Sequence, residues 1–317
     1  MLQAMKLAAL LFAAAVTQAA AQSYPAKPVK LIVPAPAGGP TDVPGRLVAD
    51  GLSTLVGQRF VVENKVGAGG LIAAEFVARA DPDGYTLLYA NTSVVAVIPA
   101  LQPKISYDPA AFVPVGFVSN SPQLLIASPK FPAKTVRELV AYAKENPGKL
   151  NFASGGVGSL PHLTYELFRL ESGIDAIHVP YAGGAPATAA LIAGQADVLF
   201  DLVRTRVKSG DVRALAITGE TRDPELPDVP TIGEAGFPAV TSTSFTALVA
   251  PPGTPKALAA RLNSRLNELH QSAEFQARMK SFGLVPKAST PEEFAAYAAR
   301  EREKWVRVVK LSGAKPE

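Results

Sequence analysis

Two segments of the chain, more than a hundred residues apart, share one pattern of strand, glycine-rich loop and helix start. The apolar strand Val29–Val33 leads into Gly38 and Gly39, and the strand at 150–153 leads into the loop 154–159. Glycines let the chain turn sharply, and the first backbone N–H groups of each helix lie unpaired beyond the end of the strand. Because strand and helix patterns alternate along the whole chain, the sequence predicts an α/β protein with mostly parallel sheets.

The first 21 residues have the order of a secretory signal peptide. Lys6 is followed by an apolar stretch at 7–16 and by the small residues 19–21. This stretch is shorter than the roughly 20 residues that a membrane-spanning helix needs, and a retained membrane anchor is the alternative interpretation. Cleavage would leave a chain that begins at Gln22, and we expect its location to be the periplasm of a Gram-negative bacterium.

Composition limits the classes of function. The chain contains no cysteine, which excludes disulfides and cysteine-ligated zinc, haem or iron–sulfur sites. The formal charge of +4 is small and the basic residues are dispersed, so nucleic acid is not an expected partner. The three histidines are scattered, and no nucleophile-elbow, zinc-protease or nucleotide-binding motif occurs. We therefore expect no metal, no cofactor and no catalytic residue.

The two glycine-rich loops are candidate anion sites. An anion at the start of either helix would gain hydrogen bonds and a favourable interaction with the helix dipole. Thr41, Asp42, Ser154 and Ser159 add polar side chains, and His162 lies in the first turn of the second helix. Two such loops, one early in each half of the chain, suggest the facing walls of a cleft. The alternative is that the glycines serve only tight turns, Asp42 is a helix N-cap and His162 is a half-buried structural residue.

Four other side chains, at 201, 270, 297 and 305, are candidates for either a ligand contact or a structural role. Asp201 follows the strand at 198–200, where it either faces a ligand at the carboxyl edge of the sheet or caps a helix. Trp305 and Tyr297 share the apolar side of the C-terminal helix, so we expect them in the core. His270 lies in a charged helix, and we expect it to be exposed to solvent.

Longer motifs follow one another from residue 24 to residue 305. They include IVPAPAGGPTD at 32–42, VENKVGAGG at 62–70, NFASG at 151–155, HVPY at 178–181, LPDVPT at 226–231 and PPGTP at 251–255. In this order the motifs resemble the Bug/TctC family, the substrate-binding receptors of tripartite tricarboxylate transporters. The resemblance covers essentially the whole chain after residue 21.

The resemblance implies a two-lobed, type II-like periplasmic binding protein fold with the ligand in the cleft between the lobes. Each lobe would be a mostly parallel sheet flanked by helices, with lobe 1 formed by residues 22–121 and 226–317 and lobe 2 by residues 122–225. The implied ligand is a small carboxylate: a di- or tricarboxylate, an amino acid or an aromatic acid. The implied partners are the membrane permease subunits of a tripartite tricarboxylate transporter, and we expect the protein to be a monomer.

The expected ligand-binding residues lie in both glycine-rich loops, at one strand end and at the acidic position after another strand. They are Pro36, Gly38, Gly39, Pro40, Thr41, Asp42, Thr92, Ser154, Gly158, Ser159, His162 and Asp201.

The sequence also departs from the family pattern. Leu202 follows Asp201 where relatives usually have Asn or Ser and a longer segment, and Ala182 and Phe245 replace a usual Lys and Trp. The shortened segment leaves the identity of the ligand open. Two other functions remain alternatives: a ligand sensor that acts on a membrane kinase, and a hydrolase or isomerase on the same scaffold.

Overall fold

The structure, a computed structural model, describes residues 24–102 and 104–314. The predicted signal peptide at 1–21 lies outside these residues. Within them, the strands form two five-stranded sheets. In chain order the strands are β1 (Val29–Val33), β2 (Phe60–Asn64), β3 (Thr86–Asn91), β4 (Val113–Pro122), β5 (Leu124–Ala127), β6 (Leu150–Ser154), β7 (Ala176–Pro180), β8 (Val198–Asp201), β9 (Arg213–Ile217) and β10 (Thr243–Ala250).

Helices flank both sheets and connect most of the strands. In chain order they are α1 (Asp42–Val56), α2 (Leu71–Ala78), α3 (Ile98–Leu101), α4 (Val136–Glu145), α5 (Leu160–Ser172), α6 (Gly184–Ala193), α7 (Arg204–Lys208), α8 (Lys256–Gln271), α9 (Ala273–Ser281) and α10 (Pro291–Ser312). A 3₁₀ turn (Ala68–Gly70) precedes α2, and a π-helical turn (Ser93–Val97) precedes α3.

The first sheet has the strand order β2-β1-β3-β10-β4, and the second has the order β7-β6-β8-β5-β9. In the first sheet β1 pairs in parallel with both β2 and β3, whereas β10 is antiparallel to β3 and β4. The second sheet repeats this arrangement, with β5 as its antiparallel strand. Four strands of each sheet therefore point in the same direction.

The two antiparallel strands have one cause. Each is the strand that enters its sheet from the other lobe: β5 follows β4 after the single residue Gln123, and β10 follows the return segment 218–242. The other strands of both sheets end at the cleft, so a strand that starts at the cleft runs against them. The carboxyl ends of eight strands and the loops that follow them consequently face the space between the lobes.

The first sheet is buried on both faces. Leu31 packs with α1 and α8, while its neighbour Ile32 packs on the opposite face with α2 and α10, and both are fully buried. Such a strand appears in the sequence as a continuous apolar run rather than an alternating one. At about 25 cal/mol per Å² of apolar surface, burial of this kind is the main stabilising contribution to each lobe.

Helix α10 belongs to the cores of both lobes. Phe294, near its start, packs against the first sheet, whereas Trp305 and Val308, near its end, pack with Phe168 and other side chains of the second lobe. Trp305 is fully buried, as expected from the sequence. The helix therefore joins the two lobes at a place other than the strand crossings.

The sequence predicted the α/β class and most of the elements, and the class is confirmed. Strand β4 runs through Pro122, and Gln123 alone separates it from β5. Strand β10 and helix α9 were not predicted. Leu226, Val229, Ile232 and Val240 pack with the core of the second sheet, and the exact lobe boundaries stay a prediction. No helix among residues 24–102 and 104–314 is long and apolar enough to cross a bilayer.

Candidate functional site

Asp42 organises the first glycine-rich loop. Its Oδ2 accepts hydrogen bonds from the backbone N–H of Gly38 at 2.8 Å and from Nε of Arg46 at 2.8 Å, and its Oδ1 accepts one from Nδ2 of Asn64 at 2.7 Å. Asn64, at the end of β2, also donates to the carbonyl oxygen of Ala35. Asp42 has no exposed surface. Its carboxylate therefore holds the loop to the end of the neighbouring strand.

The charge of Asp42 is stabilised by these donors. Burial alone would raise the pKa of this carboxyl, but the hydrogen bonds from Arg46, Asn64 and Gly38 outweigh burial and lower it. The residue in the N-cap position of α1 is Thr41, and Asp42 is the first helical residue. The alternative interpretation of Asp42 as the N-cap is therefore wrong, and the exposed residues of the loop are Pro36, Ala37, Gly38 and Pro40.

Two further segments meet the first loop at the cleft edge of lobe 1. Thr92, after β3, accepts a hydrogen bond from the N–H of Phe245 at 2.8 Å and is almost fully buried, so its hydroxyl fastens β3 to β10. The hydroxyl of Ser93 donates to the carbonyl oxygen of Gly69 at 3.1 Å. A Cβ on Gly70 would lie 3.1 Å from Cβ of Pro34, which shows how closely the loop after β2 approaches the end of β1.

The second glycine-rich loop is held by its own polar side chains. Ser159 is the N-cap of α5: its hydroxyl donates to the carbonyl oxygen of Gly156 at 2.7 Å and accepts from the N–H of His162 at 3.4 Å. Ser154 is fully buried, and its hydroxyl lies 2.6 Å from Nε2 of His178. Gly158 has a φ of +75°, a conformation that favours glycine, and its N–H donates to Nδ1 of His162 at 3.0 Å.

His162 lies beneath this loop and not on its surface. Its ring stacks on that of His178 with centroids 4.1 Å apart, and only 6% of the residue is exposed. Burial, together with the neighbouring His178, lowers the pKa of His162 to about 4. Because Nδ1 accepts the hydrogen bond from Gly158, the neutral tautomer carries its proton on Nε2, which lies 3.7 Å from Oε1 of Glu166. The structure thus gives His162 a role in holding the loop.

A third loop of lobe 2 reaches the same edge. Asp201, the last residue of β8, accepts hydrogen bonds from Thr188 Oγ1 at 3.0 Å and from the N–H of Leu202 at 2.7 Å. Its Oδ2 would lie 3.3 Å from a Cβ on Gly184. Burial raises the pKa of Asp201 despite these two hydrogen bonds. The residue in the N-cap position of the following helix is Val203, so the interpretation of Asp201 as a helix cap is wrong.

The loops of lobe 2 contact each other through backbone atoms. A Cβ on Gly155 would lie 3.0 Å from the backbone nitrogen of Gly184, so the second glycine-rich loop and the loop before α6 pack without intervening side chains. A Cβ on Gly158 would lie 2.9 Å from Cδ1 of Leu101, the last residue of α3. The second loop therefore contacts α3, whose residue Leu101 packs against the core of the second sheet.

A buried polar network that was not predicted from the sequence joins the two crossing segments, Gln123 and 218–242, which connect the lobes. Oε1 of Gln123 lies 2.7 Å from Thr164 Oγ1 and accepts from Ser242 Oγ at 2.9 Å, while the N–H of Gln123 donates to Thr218 Oγ1 at 2.9 Å. All four residues are buried. The network therefore connects both crossing segments to the first turns of α5 through the side chain of Thr164. Its members are distant in sequence, so no local motif marks them.

His270 was expected to be exposed, and this expectation is wrong. Only 4% of the residue is exposed, and its ring nitrogens lie 2.7 Å and 3.0 Å from the carbonyl oxygens of Leu266 and Val118. The signal was present in the sequence. Position 270 lies four residues after Leu266 on the face of α8 that packs against the sheet, and helical periodicity should have outweighed its charged neighbours.

Most of the predicted residues of each lobe thus lie together: Pro36 to Asp42 near Thr92 in lobe 1, and Ser154 to His162 near Asp201 in lobe 2. The sequence profile of a family described as "Tripartite tricarboxylate transporter family receptor" (TctC) matches residues 45–313. The chain belongs to this family. The expected relationship to the Bug/TctC proteins is confirmed. BugT of Bordetella pertussis is 38% identical over 300 residues, covering 93% of this chain and 92% of BugT.

Solved structures of TctC-type proteins share the fold. A protein of R. palustris determined with adipate is 33% identical and has a TM-score of 0.78. The match covers 93% of this chain and 100% of the R. palustris chain. MatC from Rhodopseudomonas palustris with bound malate is 34% identical and has a TM-score of 0.74. The match covers 90% of this chain and 100% of the MatC chain. The predicted two-lobed fold is therefore confirmed. TctC proteins are substrate-binding receptors, so the prediction of a binding protein rather than an enzyme is also confirmed.

Proposed function

We propose that this TctC receptor captures a small carboxylate in the periplasm and delivers it to the permease of a tripartite tricarboxylate transporter. Family membership supports receptor function, and the relatives determined with adipate and malate support a carboxylate as the ligand class. The observation that carries the proposal is the pair of glycine-rich loops, each at the start of a helix and each at the cleft edge of its own sheet. Adipate and malate are dicarboxylates, so a ligand with a carboxylate at each end is the first class to test.

The loops have the chemistry that such a ligand needs. The first turns of α1 and α5 present backbone N–H groups and the positive ends of their helix dipoles, which favour an anion. Proline and glycine at the surface of the first loop (Pro36, Gly38, Gly39 and Pro40) allow a carboxylate to approach the backbone closely. In the second loop Gly158 and the Ser159 hydroxyl occupy the matching position.

The buried polar residues have a different role in the proposal. Asp42, Thr92, Ser154 and His162 are almost fully buried and use their polar atoms on neighbouring protein groups. We assign them to holding the loops in place rather than to direct contact. Thr41 and Asp201 are only partly buried and stay candidates for contact with the ligand.

The raised pKa of Asp201 fits an acidic ligand. A ligand carboxylate nearby would raise the pKa of Asp201 further, because a like charge disfavours the ionised form just as burial does. A ligand that contacts both lobes binds the closed state more tightly than the open one, and this difference in affinity drives closure.

The test is a thermal-unfolding screen of the purified protein with mono-, di- and tricarboxylates, both aliphatic and aromatic. A ligand that binds only the native state raises its apparent stability by about 2.7 kcal/mol at a hundredfold excess over Kd. We expect at least one acid to raise Tm while its amide or ester does not. A Gly39→Val variant, whose side chain would crowd the Pro36 carbonyl oxygen 3.1 Å from the Cβ position, should lose this response. No response to any acid, or an unchanged response in Gly39→Val, would contradict the proposal.

A further inference from the structure

A cavity separate from the glycine-rich loops lies between the lobes, against the crossing segments. Its volume is about 570 Å³, and Pro122 and the segment 241–243 of the two crossings line it. One wall comes from lobe 1 and α10, with Lys287, Tyr297, Arg300 and Lys304; the other comes from the lobe 2 segment 217–223. None of the twelve predicted ligand-binding residues lines this cavity. It is therefore a separate site.

Two cations in the lobe 1 wall are not neutralised by the protein. Lys287 and Arg300 are exposed, and neither has a carboxylate oxygen within 4 Å in the part of the chain that the structure describes. Both lie near the ring of Tyr297, at 5.7 Å and 5.9 Å from its centroid. Two acids of the cavity are already paired, Asp223 with Arg204 and Glu301 with Lys304, which leaves Glu220 as the remaining acid.

Lys304 brings a third positive group into the cavity. Its ammonium donates to the carbonyl oxygen of Thr241 at 2.8 Å and to Oε1 of Glu301 at 2.6 Å, so two of its three N–H donors are used. The side chain is 16% exposed, and burial lowers its pKa although Glu301 opposes this effect. A bound anion would accept the remaining N–H and stabilise the charged form.

Asn120 adds an unsatisfied acceptor. Its Oδ1 is buried and accepts no hydrogen bond from the described residues, and Asn120 lines the same cavity. A buried acceptor without a donor costs about 1–3 kcal/mol. Rotation of the Asn120 side chain towards the cavity would let a ligand O–H group supply the missing donor while the negative charge of the ligand contacts the three cations.

We propose that this cavity at the crossing segments is a second binding site, and that it binds a small oxyanion that also carries a hydroxyl group. Hydrogenphosphate and a short hydroxycarboxylate share this chemistry. Because both lobes and both crossings line the cavity, its width changes when the lobes move, so occupancy here is thermodynamically linked to closure of the cleft.

The single tryptophan of the chain provides a local reporter. Nε1 of Trp305 donates to Oε2 of Glu301 at 3.0 Å, and the other oxygen of Glu301 accepts from Lys304. Binding is measured by titration calorimetry and by Trp305 fluorescence at constant ionic strength, with phosphate, glycolate and acetate as the probes. Acetate carries the charge of glycolate without its hydroxyl.

Four forms of the protein are compared: wild type, K287Q/R300Q, the charge-matched control R137Q/K144Q on the exposed face of α4, and Gly39→Val. We expect phosphate or glycolate to bind wild type, the control and Gly39→Val equally, and to bind K287Q/R300Q about tenfold or more weakly, since about 1.4 kcal/mol of charge-assisted hydrogen bonding corresponds to a factor of ten. Binding of phosphate but not glycolate would identify phosphate as the ligand class, and binding of glycolate but not phosphate would identify a hydroxycarboxylate. Whichever of the two binds should bind more tightly than acetate.

Three results would overturn the second site. They are no binding of phosphate or glycolate to wild type, an unchanged affinity in K287Q/R300Q, and an equal loss of affinity in R137Q/K144Q. Loss of binding in Gly39→Val would also overturn it, because the anion would then occupy the glycine-rich loops. Gly39→Val changes the glycine-rich loops and K287Q/R300Q changes the second cavity. The two proposals are therefore distinguished by which variant loses binding.

Discussion

His162 shows how a single side chain fixes the second glycine-rich loop. Its Nδ1 accepts the hydrogen bond from Gly158, which only the neutral ring can do. The groups that face the ring are His178, stacked on it, and Glu166, which is itself paired with Arg169. Burial outweighs the neighbouring carboxylate, so the folded protein disfavours a charged His162.

The stability of the protein should therefore fall as the pH is lowered. The pKa of His162 is about 4 in the folded protein against 6.5 when unperturbed, so between these values the unfolded chain binds the extra proton. The stabilisation is fully present above about pH 6.5 and is lost towards pH 4, with an upper limit of about 3 kcal/mol. The lowered pKa of His178 acts in the same direction.

Urea unfolding of wild type and His162→Asn at pH 7 and pH 4.5 measures this effect. The Asn oxygen can still accept a hydrogen bond but does not titrate. We expect wild type to lose more free energy of unfolding between the two pH values than the variant does. Equal losses in the two proteins would show that His162 does not contribute to the pH dependence.

At the level of elements, the close packing of two loops requires glycine, because glycine has no side chain to separate their backbones. Gly155 lies against Gly183 and Gly184, and a Cβ at 155 would meet their backbone atoms at 3.0–3.1 Å. Backbone cannot rotate away as a side chain can, so the loops would have to separate. This contact explains why glycine occupies the position although φ at Gly155 is not in the left-handed region.

Gly155→Ala should displace the second glycine-rich loop from the start of α6. Overpacking of this kind typically costs about 1–3 kcal/mol, and the displaced loop should bind the ligand less tightly. Gly233→Ala is the control, because its Cβ would meet only ordinary contacts beyond 3.5 Å. Denaturant unfolding and the ligand-induced rise in Tm should change for Gly155→Ala and stay nearly constant for Gly233→Ala. The same result for both variants would contradict this account of the loop packing.

Local patterns were sufficient for some elements and insufficient for others. The strand Val29–Val33 and the helix cap at Thr290 have complete local signals, an apolar run and a capping box, and both occur in the structure. The role of Asp42 was less accessible, because its partner Asn64 comes from another strand. The network around Gln123 joins residues up to 119 positions apart, so it exists only once the fold has formed.

For the whole molecule, the position of the crossings determines what can move. Gln123, Thr218 and Ser242 connect the two crossing segments through buried hydrogen bonds, so these segments stay together when the lobes rotate. Arg204 of lobe 2 donates to the carbonyl oxygen of Gly283 in lobe 1 at 3.4 Å, next to its ion pair with Asp223. The second cavity is lined by these crossing segments and by none of the predicted ligand-binding residues.

Helix α10 gives ligand binding a calorimetric signature. Trp305 and Val308 are buried among side chains of lobe 2, while the first half of the helix packs on lobe 1. We expect lobe opening to expose part of this apolar surface to water, and closure around a ligand to bury it again. Burial of apolar surface lowers the heat capacity by about 0.45 cal/mol/K per Å², so about 200 Å² corresponds to roughly −0.1 kcal/mol/K.

The heat capacity change of binding should therefore be more negative than contact with a small polar acid alone can produce. Titration calorimetry of the identified carboxylate between 10 and 35 °C, about the range in which the enthalpy can be followed linearly, measures it as the slope of enthalpy against temperature. Val308→Ala should make the slope less negative, because it removes apolar surface from the α10 contact. A slope near zero in wild type would mean that α10 keeps its contacts with both lobes throughout. The temperature dependence of the affinity would then depend only on the contacts between the ligand and the glycine-rich loops.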